Sequence, residues 1–241
     1  MPDALNKLVS DANIALNDLF DGATIMSGGF GLSGGAENCI TAIAQSGIKD
    51  LTIISNNCGN QGQGLAVLLK NRQVKKVICS FVGGNPDLEE LMLSNAIDVE
   101  LVPQGTLAER VRAGGVGIGG FYTPTGVGTL IAHGKEHRAI NGKDMIFESP
   151  LTADFAILRA HVADSYGNLR FYRTSQNFSK AMAMAGRITV VEAENIVAFG
   201  ELDPDEVHLP GVFVQRVFKA QNHKNVIEHL KVRTRDDSCA C

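Results

Sequence analysis

Short apolar runs alternate with longer stretches in which apolar residues return every three or four positions, and this alternation organises the first half of the chain. Residues 23–27, 51–55, 76–81 and 99–103 are short, apolar and bounded by Gly, Asn or Pro, which predicts β-strands. Between them, residues 35–46, 64–71 and 86–95 carry the helical spacing, and Pro86 suits a first helical turn. Strand, helix, strand, helix in sequence implies right-handed crossovers and parallel pairing. The predicted fold class is therefore α/β, an open, mainly parallel sheet flanked by helices.

The second half is less regular. Residues 106–113 predict a helix, and the glycine-rich, charge-poor segment 114–128 is too long for a plain connection. Residues 155–160 and 188–192 read as buried strands, separated by a polar and aromatic stretch at 166–178. Residues 212–217 predict a late strand and 225–231 a closing helix. No internal repeat, low-complexity run or linker divides the chain, so residues 1–241 are expected to form one domain with a frayed tail from about residue 233.

Each of the four leading strands ends in a loop of unusual composition: Gly28-Gly-Phe-Gly31, Asn56-Asn-Cys-Gly59, Val82-Gly-Gly-Asn85 and Pro103-Gln-Gly-Thr106. Ligands of open α/β sheets sit beyond the carboxyl ends of the strands, so these loops outline a rim of amides and bare N–H groups around a pocket. The first loop is the most distinctive. Glycine lacks a Cβ and tolerates positive φ, so this strand-to-helix turn either aims backbone N–H groups at a ligand or permits close packing.

Composition narrows the function classes. The chain has 241 residues and a net charge of −4, a balance that does not supply a broad phosphate-neutralising face for nucleic acid. No apolar run reaches the roughly 18 to 20 residues of a membrane span, and the first residues are too polar for a secretory signal. A cytoplasmic protein without membrane contact is expected. Of five cysteines, Cys39, Cys58 and Cys79 lie in or beside apolar segments and read as small buried hydrophobes. Cys239 and Cys241 form a C-x-C pair in the tail, without the further ligands a metal site needs. His133, His137 and His161 are scattered, and no metal is expected. Lys70, Arg72, Lys75 and Lys76 read as a solvated face, with contact to a ligand's phosphates as the alternative.

Taken together, Gly28 to Glu37, Ser55-Asn-Asn-Cys-Gly59, Val102-Pro-Gln-Gly-Thr-Leu-Ala-Glu-Arg110 and Gly119-Gly-Phe-Tyr-Thr-Pro-Thr-Gly-Val-Gly-Thr129 resemble the A subunits of the family I CoA-transferases. The likeness continues through Ala153-Asp-Phe-Ala156, Asp164-Ser-Tyr-Gly-Asn-Leu169, Asn177-Phe178 and Val190-Val-Glu192, nearly the whole chain. Several motifs in one order are more specific than a lone glycine fingerprint. Within the family the likeness leans to enzymes acting on succinyl-CoA and 3-oxoacids, with the 3-oxoadipate enzymes near behind. Two departures, Gly34-Gly35-Ala36 where the family closes with Pro and Gly119-Gly120 where it often has Pro-Ala, bear on the shape of the acyl pocket.

The resemblance implies a relay in which a glutamate attacks an acyl-CoA thioester and passes through an acyl-glutamyl anhydride to a glutamyl-CoA thioester. The family's nucleophile lies in Glu-x-Gly-x-x-Gly. No Glu of this chain is followed by x-Gly, so it resembles half of an active site, completed by a B subunit in a hetero-oligomer of A2B2 type. Coenzyme A is then a substrate, and no cofactor is implied. The expected contribution of this half is Gln104 as an acyl or oxyanion contact, with Gly28, Gly29, Phe30, Gly31, Asn56, Asn57, Gly105 and Phe121 around the substrate. A helix-capping role for Gln104 and turn-forming roles for Asn56 and Asn57 are equally open. Glu37 reads as a helix N-terminal carboxylate. Segment 114–129, which includes Phe121, either walls the substrate or meets the partner chain. Two rivals remain: the same chemistry on 3-oxoadipate or short-chain fatty acids, and a non-catalytic ligand-binding α/β domain, for which the neutral rim lacks phosphate anchors.

Overall fold

The computed structural model describes residues 5–60 and 62–221. The first half runs α1 (Ala12–Ala15), β1 (Thr24–Ser27), α2 (Glu37–Ser46), β2 (Leu51–Ile54), α3 (Ala66–Lys70), β3 (Val74–Cys79), α4 (Pro86–Leu93), β4 (Asp98–Leu101) and α5 (Gln104–Val116). There follow β5 (Phe121–Thr123), β6 (His137–Ile140), β7 (Lys143–Glu148), β8 (Ala153–Asp164), β9 (Leu169–Arg170), α6 (Ser179–Ala185), β10 (Gly186–Val197) and β11 (Arg216–Lys219). The main sheet has the order β11-β10-β8-β1-β2-β3-β4, every neighbouring pair parallel, with the short β9 antiparallel on β8. The α/β expectation holds.

Strand alternation builds a core on each face of this sheet. Ile25, Ile53, Val77, Phe155, Ile157 and Val190 point to the side covered by α1 to α4, where they meet Cys39, Ile43, Leu68 and Leu88. Met26, Ile54, Ile78, Ala156, Leu158 and Val191 point to the other side, against Leu107 and Val111 of α5 and Met182 of α6. Burying each such aliphatic side chain contributes about 1.5–3 kcal/mol, which fixes the strand register. Cys39, Cys58 and Cys79 are buried free thiols within this packing, as expected, and burial pushes all three well above the ordinary thiol range.

Several boundaries differ from expectation. Strand β3 covers Val74–Cys79 rather than 76–81, and β4 ends before Val102, because the chain turns at Pro103 into α5, which begins at Gln104 rather than 106. Segment 114–128 is not a loop throughout: α5 continues through Gly114 and Gly115 and is stopped at Gly117 by positive φ, after which β5 begins. Those two helical glycines permit close approach, since a Cβ at Gly114 would sit 1.9 Å from the Leu151 carbonyl oxygen and one at Gly115 2.7 Å from Met184 Cβ. Strand β5 joins β7 and β6 in a separate three-stranded antiparallel sheet that the apolar pattern did not reveal.

Strands β8 and β10 are twelve residues each, longer than the apolar runs that announced them. Residues 211–213 form a 3-10 turn rather than strand, and the pairing starts at Arg216, whose guanidinium grips Asp18 and the Ala15 carbonyl behind α1. The helix expected at 225–231 and the tail with Cys239 and Cys241 lie outside the described residues. Among the described residues no helix is long and apolar enough to cross a membrane.

Candidate active site

Strand order reverses direction at β1, whose neighbours are β2 on one side and β8 on the other, and the crevice beyond this switch point is where an open α/β sheet receives its ligand. There, the loops after β1, β2 and β3 and the first residue of α5 surround a cavity of about 460 Å³, lined by Phe30, Gly31, Asn56, Asn57, Asn60, Ser80, Phe81 and Gln104. Four of the residues expected from the sequence to contact substrate, Phe30, Gly31, Asn56 and Asn57, thus meet the candidate Gln104 in one place.

A directed chain of amides runs along the polar wall. Gln104 Nε2 donates to Asn56 Oδ1 at 2.8 Å, and the Ser80 hydroxyl donates to the same oxygen at 3.2 Å. Asn56 Nδ2 donates to Asn57 Oδ1 at 3.3 Å, and Asn57 Nδ2 donates to Asn60 Oδ1 at 3.2 Å. Asn56 and Asn57 are buried, so this order fixes their side chains. The residue before α5 is Pro103 and no side chain caps that helix, which removes the capping role left open for Gln104. Phe30 and Phe81, 51% and 57% exposed, supply the apolar walls.

The polar wall is supported from behind by Asn85, which the sequence did not mark as functional. Asn85 Nδ2 donates to the carbonyls of Cys58 at 2.7 Å and Gly59 at 3.0 Å, while its Oδ1 accepts the Leu88 N–H at 3.2 Å and caps α4. Its place before Pro86 was a legible capping signal; its grip on the Asn56 loop was not. Ser80 and Phe81 were missed because the apolar pattern ran the third strand through them to residue 81, whereas β3 ends at Cys79, and Asn60 because it is an ordinary loop residue in sequence.

Gly28 and Gly29 stand off the cavity. The Gly28 N–H donates to the Ile157 carbonyl, and a Cβ at this position would sit 2.8 Å from Ser179 Oγ, so α6 is what its bare backbone approaches. Gly29 has φ +125°, and its N–H donates to Asn177 Oδ1 at 3.0 Å. Phe30 and Ser33 then exchange N–H···O bonds at 3.0 and 3.1 Å, closing a tight turn that holds the Phe30 ring outward. Gly105 lies in the first turn of α5 beside Gln104, with nothing within 4 Å of where a Cβ would be. Phe121 lies on β5 opposite Glu148 and does not line the cavity.

A charged cluster also lay beyond what the sequence disclosed. On the α2 side of the sheet, β8 passes from Phe155 and Ile157 to Arg159 and His161, and β10 from Val190 to Glu192 and Glu194. Arg159 and His161 both meet Glu194, at 2.9 and 2.8 Å. Burial pushes the Glu192 carboxyl up to about 7, against the opposing pull of the Cys39 and Asn38 N–H groups and of Arg159, with Glu37 adding to the rise. Burial likewise raises Glu37, with Arg159 opposing. Among the described residues no group of three His, Cys, Asp or Glu could hold a metal ion.

Residues 9–220 match the family described as Coenzyme A transferase. The chain is 51% identical over 230 residues to the A subunit of the succinyl-CoA:3-ketoacid coenzyme A transferase of Helicobacter pylori (strain J99), covering 95% of this chain and 99% of that one. It is 46% identical over 215 residues to the A subunit of the 3-oxoadipate CoA-transferase of Pseudomonas putida, covering 88% of this chain and 93% of that one. Among solved structures, an acyl-CoA transferase apoenzyme from Escherichia coli O157:H7 has the same fold, with TM-score 0.84 at 24% identity. That alignment covers 95% of this chain but spans only half of the other. From the parallel sheet through the amide-lined crevice at its switch point to these matches along almost its whole length, the chain belongs to the coenzyme A transferase family.

Proposed function

We propose that this chain is the A component of a two-subunit enzyme that moves coenzyme A from succinyl-CoA to a 3-oxoacid such as acetoacetate. The observation that carries this reading is the neutral cavity at the switch point: amide donors and two aromatic walls, with no carboxylate among its described lining residues. A thioester carbonyl and a small acyl chain match that lining, and the missing nucleophile is the glutamate of a B subunit. That glutamate's carboxylate attacks the thioester carbonyl and expels CoA thiolate, leaving an acyl-glutamyl anhydride. The thiolate then attacks the glutamyl carbonyl, releasing succinate and leaving glutamyl-CoA, which the 3-oxoacid resolves through the reverse sequence. Carboxylate nucleophiles need placement and an oxyanion site rather than a base. This chain supplies that site through its amides, each such donor being worth about 3 kcal/mol in the transition state.

The alternative acceptor is 3-oxoadipate, which the 46% identical Pseudomonas putida relative supports. The assembly is an A2B2 heterotetramer in the cytoplasm, with no cofactor beyond coenzyme A as substrate. The exposed Val116, Ile118 and Leu130 around the small sheet belong to its interface. The test is reconstitution: turnover of succinyl-CoA with acetoacetate, absent for this chain alone, should appear on mixing with its B subunit, with a higher kcat/KM for acetoacetate than for 3-oxoadipate. Borohydride trapping after addition of acyl-CoA should modify a glutamate of the partner. Turnover by this chain alone, or trapping on one of its own glutamates, would overturn the reading.

A further inference from the structure

Glu192 stands near the middle of β10, 1% exposed, on the face turned toward α2. Its carboxylate Oε2 accepts the N–H of Asn38 at 2.7 Å and of Cys39 at 3.1 Å, the opening turn of α2. Ala36, the residue before that helix, offers no side-chain cap, so a strand residue 154 positions away from Asn38 does what a local Ser or Asp ordinarily does. A carboxylate at this end of a helix also meets its positive pole.

The same turn carries Glu37, whose carboxyl lies under two loops at once. A Cβ at Gly35 or at Gly64 would sit 3.4 or 3.7 Å from Glu37 Oε1. A small void bounded by Gly31, Leu32, Gly35, Glu37, Gly59 and Leu65 lies between the helix start and the two loops. One of these loops presents Phe30 and Gly31 to the cavity; the other presents Asn56 and Asn57. Any rotation of the first turn of α2 therefore carries Glu37 against both.

We infer that Glu192 is a positioning residue of the active site: by holding the first turn of α2, and through it Glu37, it sets the spacing between the Phe30 loop and the Asn56 loop. The inference rests on the CoA-transferase reading of the cavity. The groups facing Glu192 are Arg159, its register partner on β8, Glu37 and the Cys39 thiol on α2, and on β11 only the apolar Phe218. With its carboxyl raised to about 7, Glu192 exchanges a charge-assisted cap for a weaker neutral one as the medium becomes acidic.

The experiment is Glu192→Gln in the complex with the B subunit, a change that keeps volume and removes charge. At alkaline pH, kcat should fall about tenfold with KM little changed, because small misplacements of catalytic groups act on the reacting geometry. The wild-type kcat profile should show a step near neutrality that Glu192→Gln lacks. Hydrogen exchange without substrate gives the second readout. Amides of Asn38, Cys39 and the Gly28 to Gly35 loop should lose protection together as the wild type is acidified, and the variant should show the low-protection state throughout. Looser helix amides with an unchanged loop and unchanged kcat would make Glu192 a helix cap only, and overturn the inference. If wild-type complex has no transferase activity, the functional reading fails instead, and the exchange of the loop still decides whether Glu192 positions it. Should Glu192→Gln fail to assemble, the wild-type exchange profile decides: protection of the loop that is independent of pH refutes the inference.

Discussion

Replacing Gln104 with Ala tests whether the amide chain acts in catalysis or only in structure. Its Nε2 donates to Asn56 Oδ1 at 2.8 Å, and the Gln104 side chain is otherwise exposed to the cavity and solvent. The substitution removes one hydrogen bond without orphaning its acceptor, because the Ser80 hydroxyl still donates to Asn56 Oδ1 at 3.2 Å. A net hydrogen bond of this kind is worth about 0.5–1.5 kcal/mol. For a chain of this size that corresponds to a fall in Tm of only about 1–6 °C. The catalytic cost is larger. Losing a preorganised donor lowers kcat by up to about a thousandfold, and loosening Asn56 alone costs about tenfold, so the expected range is tenfold to a thousandfold. Gln104→Glu should do worse, since it sets a carboxylate against Asn56 Oδ1 and forces the Asn56 amide to turn its Nδ2 away from Asn57. The assay is steady-state transfer from succinyl-CoA to acetoacetate by the reconstituted complex, with melting of each variant alongside. Unchanged kcat in Gln104→Ala with the modest fall in Tm would refute a catalytic role for the amide chain.

Three further outcomes are expected. Asn85→Asp keeps the cap on Leu88 but turns an acceptor toward the Cys58 and Gly59 carbonyls, so melting should show a loss of about 2–3 kcal/mol, and Asn85→Ser a smaller one if the cap is what matters most. Glu148, 1% exposed, pairs with Lys135 and lies 3.8 Å from Arg110; because Arg110 keeps Glu100 at 2.6 Å and the Ser149 carbonyl at 2.8 Å, Glu148→Ala removes chiefly the charge-assisted bond to Lys135, and chemical unfolding should report a loss of about 1.5–3 kcal/mol, whereas an exposed pair such as Arg112 with Glu109 should contribute almost nothing. Glu192, shifted from 4.5 to about 7, holds its proton more tightly in the folded chain than in the unfolded one. Its contribution is therefore fully present below the lower value and lost as pH rises through the upper one, about 3 kcal/mol in all. Melting curves of wild type and Glu192→Gln should converge or cross on acidification; curves that stay parallel at every pH would show that Glu192 does not titrate there.

How far the sequence reached depends on the range of the interactions involved. Periodicity is local, so it yielded the strands and helices of the first half, the parallel sheet that their alternation implies, and the rim where their loops collect. Spaced motifs yielded the family, and the absence of Glu-x-Gly from this chain is what motivates placing the nucleophile on a partner. Phe30, Gly31, Asn56, Asn57 and Gln104 were legible because each follows a strand in an α/β order, and such positions converge at the carboxyl edge whatever the details of packing. What stayed hidden needed partners far apart in the chain. Strands β8 and β10 run on through Arg159, His161, Glu192 and Glu194 because these charges satisfy one another or the start of α2; the apolar runs reached only residue 160 in one strand and residue 192 in the other. Likewise Gly28 reads as either approach to a ligand or close packing until α6 is seen to bring Ser179 against it from 151 positions later, and Gln104 stays open between helix cap and pocket amide until Asn56 is found within reach. The sequence by itself determined the alternation of strands and helices in the first half and the edge of the sheet where their loops collect. Tertiary structure alone decided which glycines face the cavity, which amides are locked and which carboxylate caps the helix beneath them, because burial and hydrogen-bond partnership belong to pairs of residues brought together only by folding.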